Sequence, residues 1–386
     1  MTRYIYRRRG LRIAAALFDA IFKGLRKVGA MLRSAPAKPL DDLPTNPRIA
    51  FIRLDGIGDV MAALPAAEAV KARFPKGALT LVVRKQLAEV LKELPFVDEV
   101  LTADFDLYAS RLGLVRSIAS VFWIRKLLKT LHFDIALEPR GDPRVIIAMR
   151  SARIPVRIGV RSAGAGFLLS ASLDYLRDMP ETEHNLRVAA LVGAEAQPNP
   201  VRLTPDPGIV SSMLEKHPQL REPFFAVHPS ASIPTKAWPG ERYAEAIHAV
   251  AIKHGLAAVL VGGPDDVACA EAIAESSRSP TLNLAGKTDL RELIALLSQA
   301  RLFIGNDSGP AHLAARVGIP TAIVFGGTND ASVWRPPGEN VAIISHSVDC
   351  SPCELRSCPN PKCLLQISAG DVIRAVDQLL TYRTAK

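Results

Sequence analysis

No apolar run in this 386-residue chain reaches the ~18 residues that a membrane-spanning helix needs. Cysteine is scarce: of five, four crowd into 350–363 and Cys269 stands alone. A disulfide-stapled secreted domain would spread its cysteines, so a reducing compartment is the better expectation. A secretory leader is also a poor reading of the N-terminus. The apolar stretch from Leu11 to Phe22 is broken by Arg12 and Asp19, and Lys23, Arg26 and Lys27 follow it at once. Aromatics make up only 6% of the residues. Outside the first 40 residues there is neither a cationic excess nor an interleaved aromatic patch, which excludes nucleic acid as the expected partner. A full G-x-G-x-x-G is missing too, because Met61 stands where the third glycine would fall, and no dinucleotide cofactor is expected.

What is present is a soluble composition, 48% apolar and 22% charged, in a chain long enough for two domains. Most of the net charge of +10 sits at one end: residues 1–40 hold ten Lys/Arg against one acid, Asp19. Drawn as a helix, 11–33 places Ala14, Leu17, Phe18, Ile21, Phe22, Leu25, Val28 and Leu32 on one face. Arg12, Lys23 and Lys27 fall opposite, which is the pattern of a helix lying in a membrane interface. Residues 1–47 are therefore expected to be a basic amphipathic helix and a proline-rich linker that associate with the inner-membrane surface from the cytoplasm.

From 48 onward the pattern alternates apolar β-formers with helical spacing, the mark of a doubly wound α/β fold. Arg48–Leu54 reads as a strand, Asp55-Gly56-Ile57-Gly58-Asp59 as its loop and Val60–Phe74 as a helix. Asp59 then stands at the carboxyl end of the first strand, where open α/β sheets hold ligands, although an Asp there can simply cap its helix. Further strands are expected at 79–83, 99–101 and 135–137, with helices near 86–94, 112–131 and 143–151. Glu138-Pro139-Arg140-Gly141-Asp142, Arg157-Ile158-Gly159 and Glu183-His184-Asn185 read as loops, and Arg140, Asp142 and His184 as acceptor-side groups.

The unit restarts at Phe224–His228. The loop Pro229–Pro239 carries Ser230, Ser232 and Lys236 ahead of a helix over 240–254, an arrangement able to cradle phosphates. Strands at 257–261, 281–284, 302–305 and 321–325 follow, with a helix over 290–299. In Asn306-Asp307-Ser308-Gly309-Pro310-Ala311-His312 the proline opens a helix running to about 317, and its free N–H groups suit a diphosphate. The competing reading is that Asp307 and Ser308 only cap that helix. Cys350, Cys353, Cys358 and Cys363, with prolines between them, are either ligands for zinc or an iron–sulfur cluster or reduced thiols ordering a loop.

Three segments, D-G-I-G-D-V-M-A-A-L-P-A (55–66), H-P-S-A-S-I-P-T-K-A-W-P (228–239) and G-N-D-S-G-P-A-H-L-A-A (305–315), resemble the signatures of glycosyltransferase family 9. That family contains the ADP-heptose:lipopolysaccharide heptosyltransferases. The resemblance covers about 48–380 and implies the GT-B architecture: an acceptor domain over 48–205 and an ADP-sugar domain over 222–368, facing a central cleft. A closing helix over 369–386 is expected to pack back on the first domain. It implies Asp59 as general base and Lys236 on the donor diphosphate, with Ser230 and Ser232 nearby. Asp307, Ser308, Gly309 and His312 would contact donor sugar and phosphates, and Thr288 the adenine. The implied activity is inverting transfer of a heptose from an ADP-sugar to a lipopolysaccharide core, with no cofactor. The alternatives are a family member with another nucleotide sugar or glycan acceptor, and a non-catalytic, membrane-tethered nucleotide-sugar binding protein.

Overall fold

The computed structural model describes residues 43–104, 114–197 and 200–384. The amphipathic segment 11–33 lies outside them. The chain forms two compact units, divided between Val201 and Arg202.

The first unit is a six-stranded parallel sheet in the order β3-β2-β1-β4-β5-β6. Its strands are β1 (Arg48–Ile52), β2 (Ala78–Arg84), β3 (Glu99–Ala103), β4 (Ile135–Glu138), β5 (Val156–Val160) and β6 (Ala171–Leu173). The central strands are apolar along their length because helices cover both faces. Helices α2 (Leu114–Leu128) and α3 (Pro143–Ser151) close a core around Ala50, Ile52, Val82, Ile124, Leu128 and Met149. Helices α1 (Ile57–Arg73) and α4 (Glu181–Ala190) pack against each other.

The second unit repeats the plan, in the order β12-β11-β10-β7-β8-β9. The strands are β7 (Phe224–His228), β8 (Ala257–Leu260), β9 (Thr281–Asn283), β10 (Phe303–Asn306), β11 (Thr321–Val324) and β12 (Val341–Ile344). The helices are α5 (Pro207–Lys216), α6 (Gly240–His254), α7 (Val267–Ser276), α8 (Leu290–Gln299), α9 (Gly309–Val317) and α10 (Ala369–Thr384). Phe225, Val227, Ile304 and Val324 share a core with Tyr243 and Ile247 of α6. The closing helix α10 adds Val372 and Val376 to that core and packs on α6, β11 and β12.

In both units the strand order reverses beside the first strand, between β1 and β4 and between β7 and β10. Ligands of open α/β sheets sit at the carboxyl edge of such a switch point.

Several sequence expectations are corrected here. Residues 157–159 belong to β5, because Arg157 satisfies its guanidinium on the carbonyls of Leu168, Ile154 and Pro155 and so tolerates a buried strand. Residues 183–185 are helical, in a helix that opens after Pro180 with Glu181 and Glu183 in its first turn. The helix expected over 86–94 is a 3-10 turn, Lys85–Leu87, followed by the single turn Ala88–Leu91. Strands β6 and β12 are short sheet edges with weak patterning, and the sequence marks neither them nor the helices α5 and α7.

Candidate active site

At the first switch point, β1 ends in Arg53-Leu54-Asp55-Gly56 and α1 begins. Gly56 is the extended N-cap and Asp59 the third helical residue. One Asp59 oxygen, Oδ2, accepts the Gly56 N–H at 3.1 Å. The other, Oδ1, has only long contacts, 3.5 Å to Arg53 and 3.7 Å to Arg140. It is therefore available to a further donor, and its side chain is 21% exposed.

Beneath Asp59 lies a buried ionic network. Arg53 donates to Asp55 at 3.1 Å, Glu181 at 3.2 Å and Asn185 at 3.0 Å. Arg140 closes it from above, 3.0 Å from Asp55. Burial alone would lower the Arg53 guanidinium, but Asp55, Glu181 and Asp59 together hold it raised. Burial pushes the Asp55 carboxyl up against the pull of Arg53. Glu138, at the end of β4, accepts the N–H groups of Gly141 and Asp142. Burial, then Asp142, pushes its carboxyl up to about 8. Gly141 has φ of +80°, and a Cβ there would meet Val160 at 2.9 Å, so only glycine closes this turn.

Of the acceptor-side groups, Arg140 joins Asp59, but Asp142 does not. It caps α3 through Arg144 N–H at 2.9 Å, and its carboxylate is paired with the Arg144 side chain. His184 is fully buried under Tyr175, with ring centroids 4.4 Å apart, rather than presented on a loop. Burial, then Arg187, lowers its imidazole to about 4. Of the residues that order the site, Arg53, Asp55, Glu181 and Asn185, the sequence singles out only Asn185, as part of an acceptor-side loop, and Asp55, as the start of the first family segment. The one further signal was Arg53 itself, a cation set inside the apolar stretch that follows Arg48.

The second switch point has different chemistry. Lys236, in a 3-10 turn over Pro234–Lys236, lies 2.7 Å from Asp307, which also accepts the Asn329 amide at 2.8 Å. Fully buried Asn306 fixes the facing loop by donating to the Pro229 and Ser230 carbonyls while accepting the Trp238 N–H. Ser308 is the N-cap of α9 but makes no side-chain cap bond. Its hydroxyl instead meets His228 Nδ1 at 3.0 Å, and His228 Nε2 meets Asp266 at 3.2 Å. Burial would raise the Asp266 carboxyl, yet hydrogen bonds from His228 and Ser230 hold it down at about 2.

The first amides of α9 are thus left to a ligand, and the helix dipole there favours an anion. His312, in the same turn, is buried with Nδ1 unpartnered, and burial lowers it to about 4. Lys236, Asp307, Ser308 and Ser230 are joined through these contacts. Ser232 is exposed on its loop, and Thr288 is half-buried beyond β9, the edge strand two places from β7.

The cysteine segment braces this site. Cys353 N–H donates to the Gly327 carbonyl, and the Leu355 carbonyl accepts the hydroxyl of Thr235, the neighbour of Lys236. Among the described residues no group of three His, Cys, Asp or Glu side chains stands arranged to hold a metal ion. None of the four cysteines, Cys350, Cys353, Cys358 and Cys363, is joined in a disulfide.

The chain thus holds two tandem Rossmann-like units, one with a carboxylate and the other with a helix N-terminus without a side-chain cap at the switch point, the plan of GT-B glycosyltransferases. The family model described as Glycosyltransferase family 9 (heptosyltransferase) matches residues 121–364, and the chain belongs to that family. Among its relatives, lipopolysaccharide heptosyltransferase 3 of Escherichia coli is 27% identical, over 85% of this chain and 97% of that protein. Among solved structures, a family 9 glycosyl transferase from Veillonella parvula matches with a TM-score of 0.75 at 20% identity, covering 88% and 99% of the two chains. The E. coli ADP-heptose lps heptosyltransferase II matches with a TM-score of 0.71 at 21% identity, covering 87% and 99%. The expected family is correct, as is the expectation of two Rossmann-like units.

Proposed function

We propose that the protein transfers a heptose from ADP-heptose to a lipopolysaccharide core acceptor, inverting the anomeric centre, at the cytoplasmic face of the inner membrane. The observation that carries this is the N-terminus of α9, which has no side-chain cap, beside Lys236, whose ammonium, held at Asp307, stands ready to turn to a diphosphate leaving group. The names of the relatives, heptosyltransferases of lipopolysaccharide, supply the sugar and the acceptor.

In the reaction, an acceptor hydroxyl oxygen attacks the anomeric carbon as the bond from that carbon to the β-phosphate oxygen breaks. The hydroxyl proton passes to Asp59 Oδ1, the less engaged of its two oxygens, as general base catalysis requires. The electron pair of the broken bond leaves with ADP. Lys236 and the first amides of α9 stabilise that charge as it develops. Ser230 and Ser308 orient the donor phosphates. His312, neutral near pH 7 because it is buried, contributes a hydrogen bond without adding a charge. Arg140 lies within reach of an acceptor held at Asp59. Residues 11–33 anchor the enzyme at the bilayer where lipid-linked acceptors are found.

The test is ADP release by the purified protein given ADP-L-glycero-β-D-manno-heptose and a series of truncated lipopolysaccharide cores. Acceptor-dependent release, with product of inverted anomeric configuration by NMR, is expected. Turnover only with a different nucleotide sugar would overturn the heptose assignment, and donor binding with no turnover on any core would overturn the transferase.

A further inference from the structure

Helix α2 presents an unusual outer surface. Its inner side buries Ser120, Ile124 and Leu128 against the sheet, as a crossover helix should. Its outer side exposes Ile118 at 52%, Phe122 at 63% and Trp123 at 59%, half of the large exposed hydrophobics among the described residues. At about 100° per residue, Ile118, Lys129, Phe122, Lys126, Trp123 and Arg116 fall in that angular order on one face. Cations therefore alternate with apolar side chains, and Lys126 Nζ stands 5.9 Å from the centre of the Trp123 ring. No Asp or Glu occurs anywhere from 107 to 133. The outward sides of α6 and α7 carry Glu241, Glu245, Glu271 and Glu275 instead. Exposed aromatics on a helix that packs well on its other side are a surface for a partner.

We propose that this face of α2 docks on an anionic lipid surface. The charge pattern selects that occupant. Tryptophan and phenylalanine settle at the headgroup boundary, lysine stems run along the apolar layer and place their ammonium groups among the phosphates, and the acid-free run removes repulsion. An acidic protein partner, the glutamate-bearing sides of α6 and α7 of a second copy included, would not need Ile118, Phe122 and Trp123 side by side, and a second copy docking through the same helix would bring like charges together. The inference deepens the proposed function, since it supplies a membrane contact within the first folded unit, separate from residues 11–33.

The experiment uses the full chain with vesicles of phosphatidylcholine and phosphatidylglycerol, the latter brominated on its acyl chains. Tryptophan quenching is compared between wild type and Trp123→Phe, so that Trp238 and Trp334 are subtracted. Expected are a blue shift and quenching in wild type that are absent in Trp123→Phe. Replacing both lysines, as Lys126→Gln with Lys129→Gln, should weaken partitioning roughly 10–30-fold. Phe122→Ser, which leaves the buried side of α2 intact, should weaken it too while preserving the circular dichroism spectrum and ADP release on a water-soluble core oligosaccharide. The proposal is overturned if the protein floats with vesicles while Trp123 stays unquenched, because another surface then holds it. It is equally overturned if Trp123 emission is already blue-shifted without lipid, the signature of a second copy or of this chain's own N-terminal segment on that face. Quenching needs no sugar chemistry, so its failure is distinct from failure of the transferase reading, which shows as absent ADP release on soluble acceptor.

Discussion

The fourth strand of each unit feeds a helix through a short loop at its switch point, and the two loops do opposite things. In the first unit Glu138-Pro139-Arg140-Gly141-Asp142 leads into α3, and Asp142 caps that helix with its side chain. In the second, Asn306-Asp307-Ser308 leads into α9, and neither acid nor hydroxyl caps it: Asp307 turns to Lys236 and Ser308 to His228. A capped helix end has spent its N–H groups internally and holds no anion. An uncapped one beside an ammonium is an anion site in waiting. One topology thus yields two edges, one lined by self-paired carboxylates and arginines around Asp59, the other poised for phosphate. The division of labour between base and donor site follows from where the caps go.

The sharpest way to break this contrast is to remove the base. Asp59→Asn should lower kcat by roughly 10²–10⁴-fold while leaving donor affinity unchanged, as read by steady-state ADP release. Next comes the ammonium. Lys236→Ala should cost about 10²–10³-fold in kcat/KM, with a raised KM for the donor that Asp59→Asn does not show. Adding Asp307→Asn removes the stranded negative charge, so it should recover thermal stability without recovering donor affinity.

Effects on stability are smaller and run in opposite directions with pH. Glu138 has a folded-state carboxyl raised to about 8 from 4.5. Between those values only the native state keeps its proton, so stability falls as pH rises through that window. Glu138→Gln should flatten that decline in melting temperature. His184, lowered to about 4 from 6.5, acts at the acid end. Both states are neutral above 6.5. Below it the unfolded state takes up the proton first, and stability is lost as pH falls to about 4. His184→Phe should blunt that acid loss. Smallest is Ser308→Ala, which removes the hydroxyl from His228 and should cost about 1 kcal/mol of stability or less, measured by denaturant titration.

What could be read from the sequence tracks how local the chemistry is. Helices α6, α8 and α9 lie where the residues put them, because their ends are written in neighbouring positions. Pro239 and Gly255 bracket α6, Asp289 and Glu292 cap α8 reciprocally, and Ser308 and Gly318 bound α9. Ser230, Lys236, Asp307 and Ser308 are local in the same sense, as these residues fall within two short loops. Around Asp59 the network spans the unit: Arg53 and Glu181 are 128 residues apart, and Arg53 and Asn185 132 apart. No window of sequence shows such a pairing, so nothing local marks Glu181, and Asn185 falls in a stretch that reads as loop. The role of the cysteine segment was not legible at all, because its backbone braces Gly327, Thr328 and Thr235, which lie far away in sequence.

The most direct test of the central claim is calorimetric titration of ADP into the wild-type protein, Asp59→Asn and Lys236→Ala. The account predicts equal affinity for wild type and Asp59→Asn, and an affinity for Lys236→Ala weaker by about 10-fold or more, as loss of a charge-assisted contact implies. Weakened binding in Asp59→Asn with unchanged binding in Lys236→Ala would contradict it, and would move the diphosphate to the first unit.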